Sequence, residues 1–400
     1  MQGMGNTKTK VVIVGGGFGG VKAALELSKS NNCSVTLVSD HSSFRYYPGL
    51  YRAATGGRRA GSRIRLNSIL DSASITFVQA TVTKLDRDNK QIITEDRQKL
   101  PFDKLILALG NVTNYFDIEG LAKYSYGIKS TEEVERFKRH LHEQFTKNAC
   151  PDLNYVIVGG GPTGIELAGA LPHYLRHIMK MHGAKDCKLH IELVEAAPHL
   201  LPRSPKEISR AVTKHLRELG IKLYLGTAVQ GETPDVLMAG NRPLKTQTVV
   251  WTAGVTNNPF FKNNAFKLTE RGKVEVDDYL QAEQDIYVIG DNANTMYSGM
   301  AQTALYDASF VAHNILRELD GSMPSSYVPK KPISVIPVGP KWATVEWGNA
   351  KFAGFWGWFL DIFVDLVAFH DLESWPKAGE QWMKSRGDSD AEICPICAKK

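Results

Sequence analysis

No stretch of about 18 uninterrupted apolar residues occurs in this sequence, and a helix needs roughly that length to cross a bilayer. No transmembrane helix is therefore expected. The opening residues, MQGMGNTKTK, lack the apolar centre of a secretory leader and run directly into a strand pattern, so no such leader is expected either. Cysteine is scarce. The five residues Cys33, Cys150, Cys187, Cys394 and Cys397 are scattered except for the last two, which excludes a disulfide framework and suits a reducing cytoplasm. Nor is there a large excess of charge of one sign. The 48 basic residues outnumber the 42 acidic ones by six, too mild a balance to imply a nucleic-acid partner. Arg58, Arg59, Arg63 and Arg65 form a local basic cluster, readable as a solvated loop or as a contact for phosphate or lipid.

Glycine is plentiful, and its placement is informative. Val11–Val14 reads as an apolar strand, Gly15, Gly17 and Gly20 fit G-x-G-x-x-G, and Val21–Lys29 continues as a helix. The three glycines serve a tight turn, close backbone approach to a pyrophosphate, and close helix–strand packing. The N-terminus of the helix then offers free N–H groups to phosphate. Val35–Val38 is the next strand. Asp40 stands about 20 positions past the fingerprint, where an acid usually holds a ribose hydroxyl. The alternative is that Ser39 occupies the acid's place. Tyr155–Leu171, YVIVGGGPTGIELAGAL, repeats the pattern in mid-chain with Gly159, Gly161 and Gly164. Its following strand, Leu189–Val194, ends at Glu195. That carboxylate is placed to take both ribose hydroxyls of an adenosine, and no arginine follows to receive a 2′-phosphate, which favours NADH over NADPH.

Between and beyond these units the pattern stays α/β. Phe44–Thr55, FRYYPGLYRAAT, is an aromatic loop with a Pro-Gly turn, readable as core or as the wall of a ligand crevice. Ile75–Val82 and Gln91–Thr94 alternate like antiparallel strands, and Leu105–Gly110 is a buried strand. Thr131–Phe145 reads as a charged helix with Thr131 as N-cap. Thr248–Trp251, Val274–Val276 and Ile286–Ile289 read as strands, and Ala301–Leu319 as a helix. Prolines crowd 324–340, which reads as a linker with an edge strand. On a helix over Phe352–Phe369, Phe352, Phe355, Trp356, Phe359, Leu360, Phe363 and Val367 share one face, while Asp361 and Asp365 share another. Such a stripe suits an interfacial membrane helix or a packing surface for the protein or a second subunit. The terminal Cys394-Pro-Ile-Cys397 supplies two metal ligands where structural zinc needs four. With no nearby partner pair in the sequence, no metal site is expected. The C-x-x-C reads as a flexible tail, a site shared across a dimer, or a redox pair.

Two fingerprints, strand ends of the LALG and TAGV type, and a late Gly290-Asp291 together resemble the two-dinucleotide-binding-domain flavoproteins. Within them, GGGFGG (15–20), YYPGLYRAATG (46–56), GGGPTGIELAGAL (159–171), LVEAAPHLLP (193–202), WTAGV (251–255), IGDNA (289–293) and AQTA (301–304) are similar to type II NADH:quinone oxidoreductases. The resemblance implies an α/β fold of two Rossmann-like, glutathione-reductase-like domains plus a helical, aromatic C-terminal tail. It divides the chain into an FAD-binding domain (8–116 and 269–325), an NADH-binding domain (117–268) and a membrane-associating or dimerising region (326–400). FAD contacts would fall to Gly15, Gly17, Phe18, Gly20, Asp40, Gly110, Gly290, Asp291, Ala301 and Gln302. NADH contacts would fall to Gly159, Gly161, Pro162, Thr163, Gly164, Glu195, Ala253 and Gly254. Catalytic roles would fall to Glu166 near the nicotinamide–flavin junction and to Gln302 and Tyr306 on the quinone side. Tyr306 stands where the family's A-Q-x-A-x-Q pattern has its second glutamine. The implied activity is electron transfer from NADH through flavin to a membrane quinone without proton pumping. It would be carried out by a peripheral homodimer on the cytoplasmic face of the cell membrane. Reduction of a small electron-carrier protein, and a low-turnover nucleotide-bound redox sensor, are the alternatives.

Overall fold

The computed structural model describes residues 8–57, 63–71, 73–147, 154–184, 187–385, 390 and 394. Two parallel sheets carry the chain. The larger has six strands, in the order Gln281–Glu283, Ile286–Val288, Lys104–Leu107, Thr9–Val14, Cys33–Ser39 and Ile75–Gln79. Only the outermost pair, 281–283 with 286–288, is antiparallel. The smaller has four strands, all parallel: Lys222–Leu225, His190–Glu195, Asn154–Val158 and Thr248–Trp251. Parallel strands are covered on both faces, which is why their sequences are unbroken apolar runs rather than alternating ones. Val11–Val14 and Tyr155–Val158, the central segments of the two sheets, are buried throughout.

Helices Phe18–Leu27 and Ala301–Leu319 pack together on one face of the larger sheet. Helix Pro162–His182 packs on the smaller sheet beside helix Thr131–Lys147. Pro162 sits in the first turn, where a missing N–H costs no hydrogen bond, and Gly183 closes the helix in the left-handed conformation at φ 70°. The 131–147 helix is capped by Ser130 rather than by Thr131. The Glu133 N–H donates to Ser130 Oγ at 3.1 Å and the Ser130 N–H donates to Glu133 Oε2 at 3.2 Å, a reciprocal box that Thr131 cannot make.

Three further expectations need correction. Ile75–Gln79 joins the parallel sheet beside Cys33–Ser39, and the antiparallel partner of Gln91–Thr94 is the separate strand Val82–Asp86. Val274 forms only isolated bridges, to Leu268 and Ala293, rather than a strand over 274–276. Phe352 belongs to strand Ala350–Gly354, which pairs with Ala343–Trp347 and, through it, with Ser334–Pro337. The final helices are Phe355–His370 and Trp375–Ser385. Among the described residues no helix is long and apolar enough to cross a membrane.

The 355–370 helix is turned opposite to the usual amphipathic sense. Its buried row is Gly357, Asp361, Asp365 and Phe369, while Phe355, Trp356, Phe359, Phe363 and Val367 face outward, Trp356 with 70% of its surface exposed. The inward acids meet the aromatic loop of residues 44–55. Arg52 bridges Asp365 and, at 3.2 Å, Asp361. The Tyr46 hydroxyl donates to Asp365 Oδ1 at 2.7 Å, and the Tyr46 and Phe369 rings lie 4.6 Å apart. The loop is therefore largely core, built around a half-buried cation.

A second buried charge tests the fold differently. Glu232, on strand Val229–Thr233, is buried with Oε2 unpartnered among the described residues. Burial pushes its carboxyl from 4.5 up to about 8. A carboxyl raised on folding favours the fold while protonated, so this contribution is complete below about pH 4.5 and lost as pH rises through about 8. Glu232→Gln should therefore melt higher than the wild type above about pH 8, and the two should converge below about pH 4.5. A constant offset across that range would refute the assignment.

Candidate active site

The two glycine turns are built alike. Gly15 and Gly159 follow their strands at φ 118° and 117°, a region closed to residues with a Cβ. A Cβ on Gly20 would lie 1.8 Å from the Gly15 carbonyl oxygen, and one on Gly164 would lie 2.0 Å from that of Gly159. Only glycine lets each helix start this close to its strand. Gly17 and Gly161 differ, for a Cβ there would meet nothing within 4 Å. Both cap their helices with no side chain bonded to the free N–H groups. Open space over a helix N-terminus is what a pyrophosphate requires, so both turns fit a dinucleotide. Pro162 and Thr163 are exposed at the second turn, and Phe18 is buried at the first, 4.9 Å edge-on from Phe44.

The strand ends separate the two sites. Glu195 closes its strand and accepts from the N–H of Gly160 and, at 2.7 Å, from the N–H of Ala197. By register, the residue in the same place beside the first turn is Ser39, since Val14 pairs with Val38 as Val158 pairs with Val194. A Cβ on Gly16 would lie 2.6 Å from Ser39 Oγ, just as one on Gly160 would lie 2.9 Å from Glu195 Oε2. Asp40 lies one residue farther on, exposed, 3.1 Å from the His41 ring. The neutral Ser39 thus takes the position that spacing alone assigns to Asp40.

The far wall of the first site comes from later in the chain. Gly110, at φ 66°, exchanges two 2.9 Å hydrogen bonds with the Asn292 side chain. The Gly290 N–H donates to Asp307 Oδ2 at 3.0 Å, and Tyr327 donates to the other oxygen at 2.6 Å. Burial pushes Asp307 up to about 6. Asp291 accepts from Asn111 at 2.8 Å, and burial raises its carboxyl above the usual range against the pull of Lys273 and Lys129. Both amines are themselves depressed by burial. Sequence reasoning misses Lys129 and Lys273, which no motif marks. Beside the second site, Ala253 is exposed and Gly254 buried, where a Cβ would strike the Asn114 carbonyl at 2.5 Å.

Glu166 lies one turn into the second fingerprint helix and faces the Arg52 cluster. Burial raises its carboxyl well above the usual range, Asp361 and Asp365 push it the same way, and Arg52 opposes them. Burial and the neighbouring acids thus favour the protonated form of this carboxyl beside the second turn. Gln302 and Tyr306, one turn apart on helix Ala301–Leu319, are not free to act together. Gln302 accepts from the Ile333 N–H at 2.8 Å, and the Tyr306 hydroxyl donates to the Val328 carbonyl at 3.1 Å with Lys330 over its ring. The 328–333 segment occupies the groups expected on the acceptor side.

A family model described as pyridine nucleotide-disulphide oxidoreductase matches residues 9–308, more than half of the chain. The chain belongs to that family. It is 28% identical over 342 residues to a type II NADH:quinone oxidoreductase of Staphylococcus aureus, covering 80% of this chain and 84% of the relative. Among solved structures it is similar to NDH2 of Plasmodium falciparum in complex with NADH, with a TM-score of 0.83, 18% identity, and coverage of 94% and 97% of the two chains. The sulfide:quinone oxidoreductase of Aquifex aeolicus gives a TM-score of 0.77 at 19% identity, covering 93% and 92%. The family and these likenesses agree with the α/β fold of two Rossmann-like sheets and a helical tail.

Removing one partner from a buried ion cluster leaves the other charges uncompensated, at a cost of about 3–5 kcal/mol. Arg52→Leu should show a loss of that order in chemical denaturation followed by tryptophan fluorescence. Adding Asp361→Asn and Asp365→Asn should recover much of it. Equal instability of the single and triple variants would place the loss in packing rather than in charge.

Proposed function

We propose that this oxidoreductase carries electrons from NADH through FAD to a quinone at a membrane surface, without pumping protons. One observation carries the reading: two open dinucleotide turns occur in a chain whose tail helix points its acids inward and its Phe and Trp side chains outward. The name of the Staphylococcus relative and the NADH in the Plasmodium structure support it. The proposed division is FAD on 8–116 and 269–325, NADH on 117–268, and membrane contact on 326–400.

A flavin bound at the first turn supplies the two-electron link between nicotinamide donor and quinone acceptor. The chain's own residues place and insulate it. Gly15, Gly17, Phe18 and Gly20 cradle the pyrophosphate, and Gly110, Gly290, Asp291 and Ala301 form the opposite wall. Gly159, Gly161, Pro162, Thr163, Gly164, Ala253 and Gly254 receive NADH, and Glu195 takes its ribose hydroxyls. Glu166 holds a proton for the reduced acceptor. Gln302 and Tyr306 reach that acceptor only if the 328–333 segment yields its hydrogen bonds.

Disulfide reduction, which the family name also covers, is the weaker reading. Cys33 pairs in register with Thr9, six residues and about 20 Å along the strand from the Gly15 turn.

In the test, NADH bleaches the visible absorbance of the bound flavin and quinone restores it. Flavin that NADH leaves oxidised would sink the enzyme reading, and flavin reoxidised only by a carrier protein would sink the quinone reading. Glu166→Gln should lower turnover by about 100-fold and flatten the pH–rate profile; an unchanged profile would make Glu166 a passive group of its helix.

The outward aromatic row supports peripheral membrane contact, which the proposal puts on the cytoplasmic face. Replacing Trp356, Phe359 and Phe363 together with serine should abolish co-flotation with anionic liposomes while leaving NADH-driven bleaching intact. Persistent flotation would rule out this face as the anchor. Dissociation of a homodimer with flotation unchanged would reassign the row to a subunit interface.

A further inference from the structure

Cys394 of the terminal C-x-x-C has partners after all. Cys394 is buried, with its Sγ 3.7 Å from Nε2 of His182, the last residue of the second fingerprint helix. Nδ1 of His142, on helix Thr131–Lys147, lies 3.0 Å from the same Nε2. The three ligand atoms all fall within 4.8 Å of one another. Zinc binds imidazole nitrogen at about 2.0–2.1 Å and thiolate sulfur at about 2.3 Å, so tetrahedral neighbours stand about 3.3 Å (N to N) and about 3.6 Å (N to S) apart. The observed spacings are close to those of a ligand shell.

The surroundings match a metal site as well. A ligating histidine donates its other ring N–H to a carboxylate or a similar acceptor, which fixes the tautomer. Nε2 of His142 faces the Tyr174 hydroxyl at 3.1 Å and Asp390 Oδ1 at 3.7 Å, leaving Nδ1 toward the cluster. Tyr174 in turn donates to Asp390 at 2.9 Å. Asp390 is neutralised by Lys138 at 2.8 Å, both 1% exposed, so its charge is already balanced without the metal. The Cys394 N–H donates to the Asp390 carbonyl at 3.0 Å, which ties the thiol residue to the carboxylate residue.

We propose that His142, His182 and Cys394 bind a structural zinc ion that fastens the C-terminal tail to the two helices of the smaller sheet. Asp390 and Tyr174 orient the His142 ring. The three protein donors leave the fourth position of a tetrahedral shell to a further ligand; Cys397 lies outside the described residues. Nitrogen and sulfur donors in a closed, buried setting select zinc over the oxygen-seeking magnesium and calcium. Binding deprotonates the Cys394 thiol and releases that proton to solvent.

The experiment uses the full chain purified without a histidine tag. Elemental analysis should find one zinc per chain, lost in Cys394→Ser and in His182→Ala. Chelation should lower the melting temperature, and zinc should restore it. Cobalt(II) added to the chelated wild type should give the red ligand-field bands of tetrahedral coordination, beyond the flavin's own absorbance. Cys394→Ser should weaken them. These readouts do not depend on turnover, so they stand or fall apart from the quinone reading. Metal-free protein that binds no cobalt and melts unchanged with chelator would overturn the proposal, even if the variants themselves fold poorly.

Discussion

The Arg52 guanidinium, enclosed by Asp365, Asp361 and the two tyrosines Tyr46 and Tyr51, sets the arrangement of the tail. A half-buried cation needs anions, and the tail helix supplies them from its inward row. With that row committed to charge, the helix has no choice about its aromatics, which must face outward. Burial alone would weaken the Arg52 charge, and Tyr51, Asp365 and Asp361 more than offset that. The same carboxylates act on Glu166 in the neighbouring helix. One ion cluster therefore links the loop after the first fingerprint, the second fingerprint helix and the tail.

Most of the frame is legible in the chain itself, because both turns depend on local rules. Gly15, Gly20, Gly159 and Gly164 are sterically obligatory, and unbroken apolar runs such as VVIV and YVIV belong to doubly covered parallel strands. Legibility ends where partners come from distant sequence. Asp361 and Asp365 read as a solvent face because nothing near them in the chain announces Arg52, some 310 residues away. Ser39 takes the place of Asp40 because register, rather than spacing, decides which residue closes a strand. Ser130 takes the place of Thr131 because a capping box is defined by its reciprocal bonds. His142 and His182 carry no motif and meet Cys394 only once the helices are packed.

The two nucleotide turns share a plan but differ by one charge. At the second, Glu195 presents a carboxylate held by two backbone N–H groups. At the first, a serine hydroxyl stands in the same place. A carboxylate beside a ribose meets a 2′-phosphate with like-charge repulsion, while a hydroxyl does not. The negative charge therefore lies at the site proposed for NADH, and it is missing from the site proposed for FAD.

Helix Pro162–His182 has 21 residues and is about 31 Å long. Its first turn carries the open glycine turn and, beside the Arg52 cluster, Glu166. Its last residue is His182. The tail touches this rod through Asp390 on Tyr174 and Cys394 on His182, and the charges of Asp361 and Asp365 act on Glu166 near its other end. A rod gripped toward one end and coupled by charge near the other resists sliding along its own axis. The C-terminal segment works as a strap that holds the dinucleotide turn in register with the loop it faces.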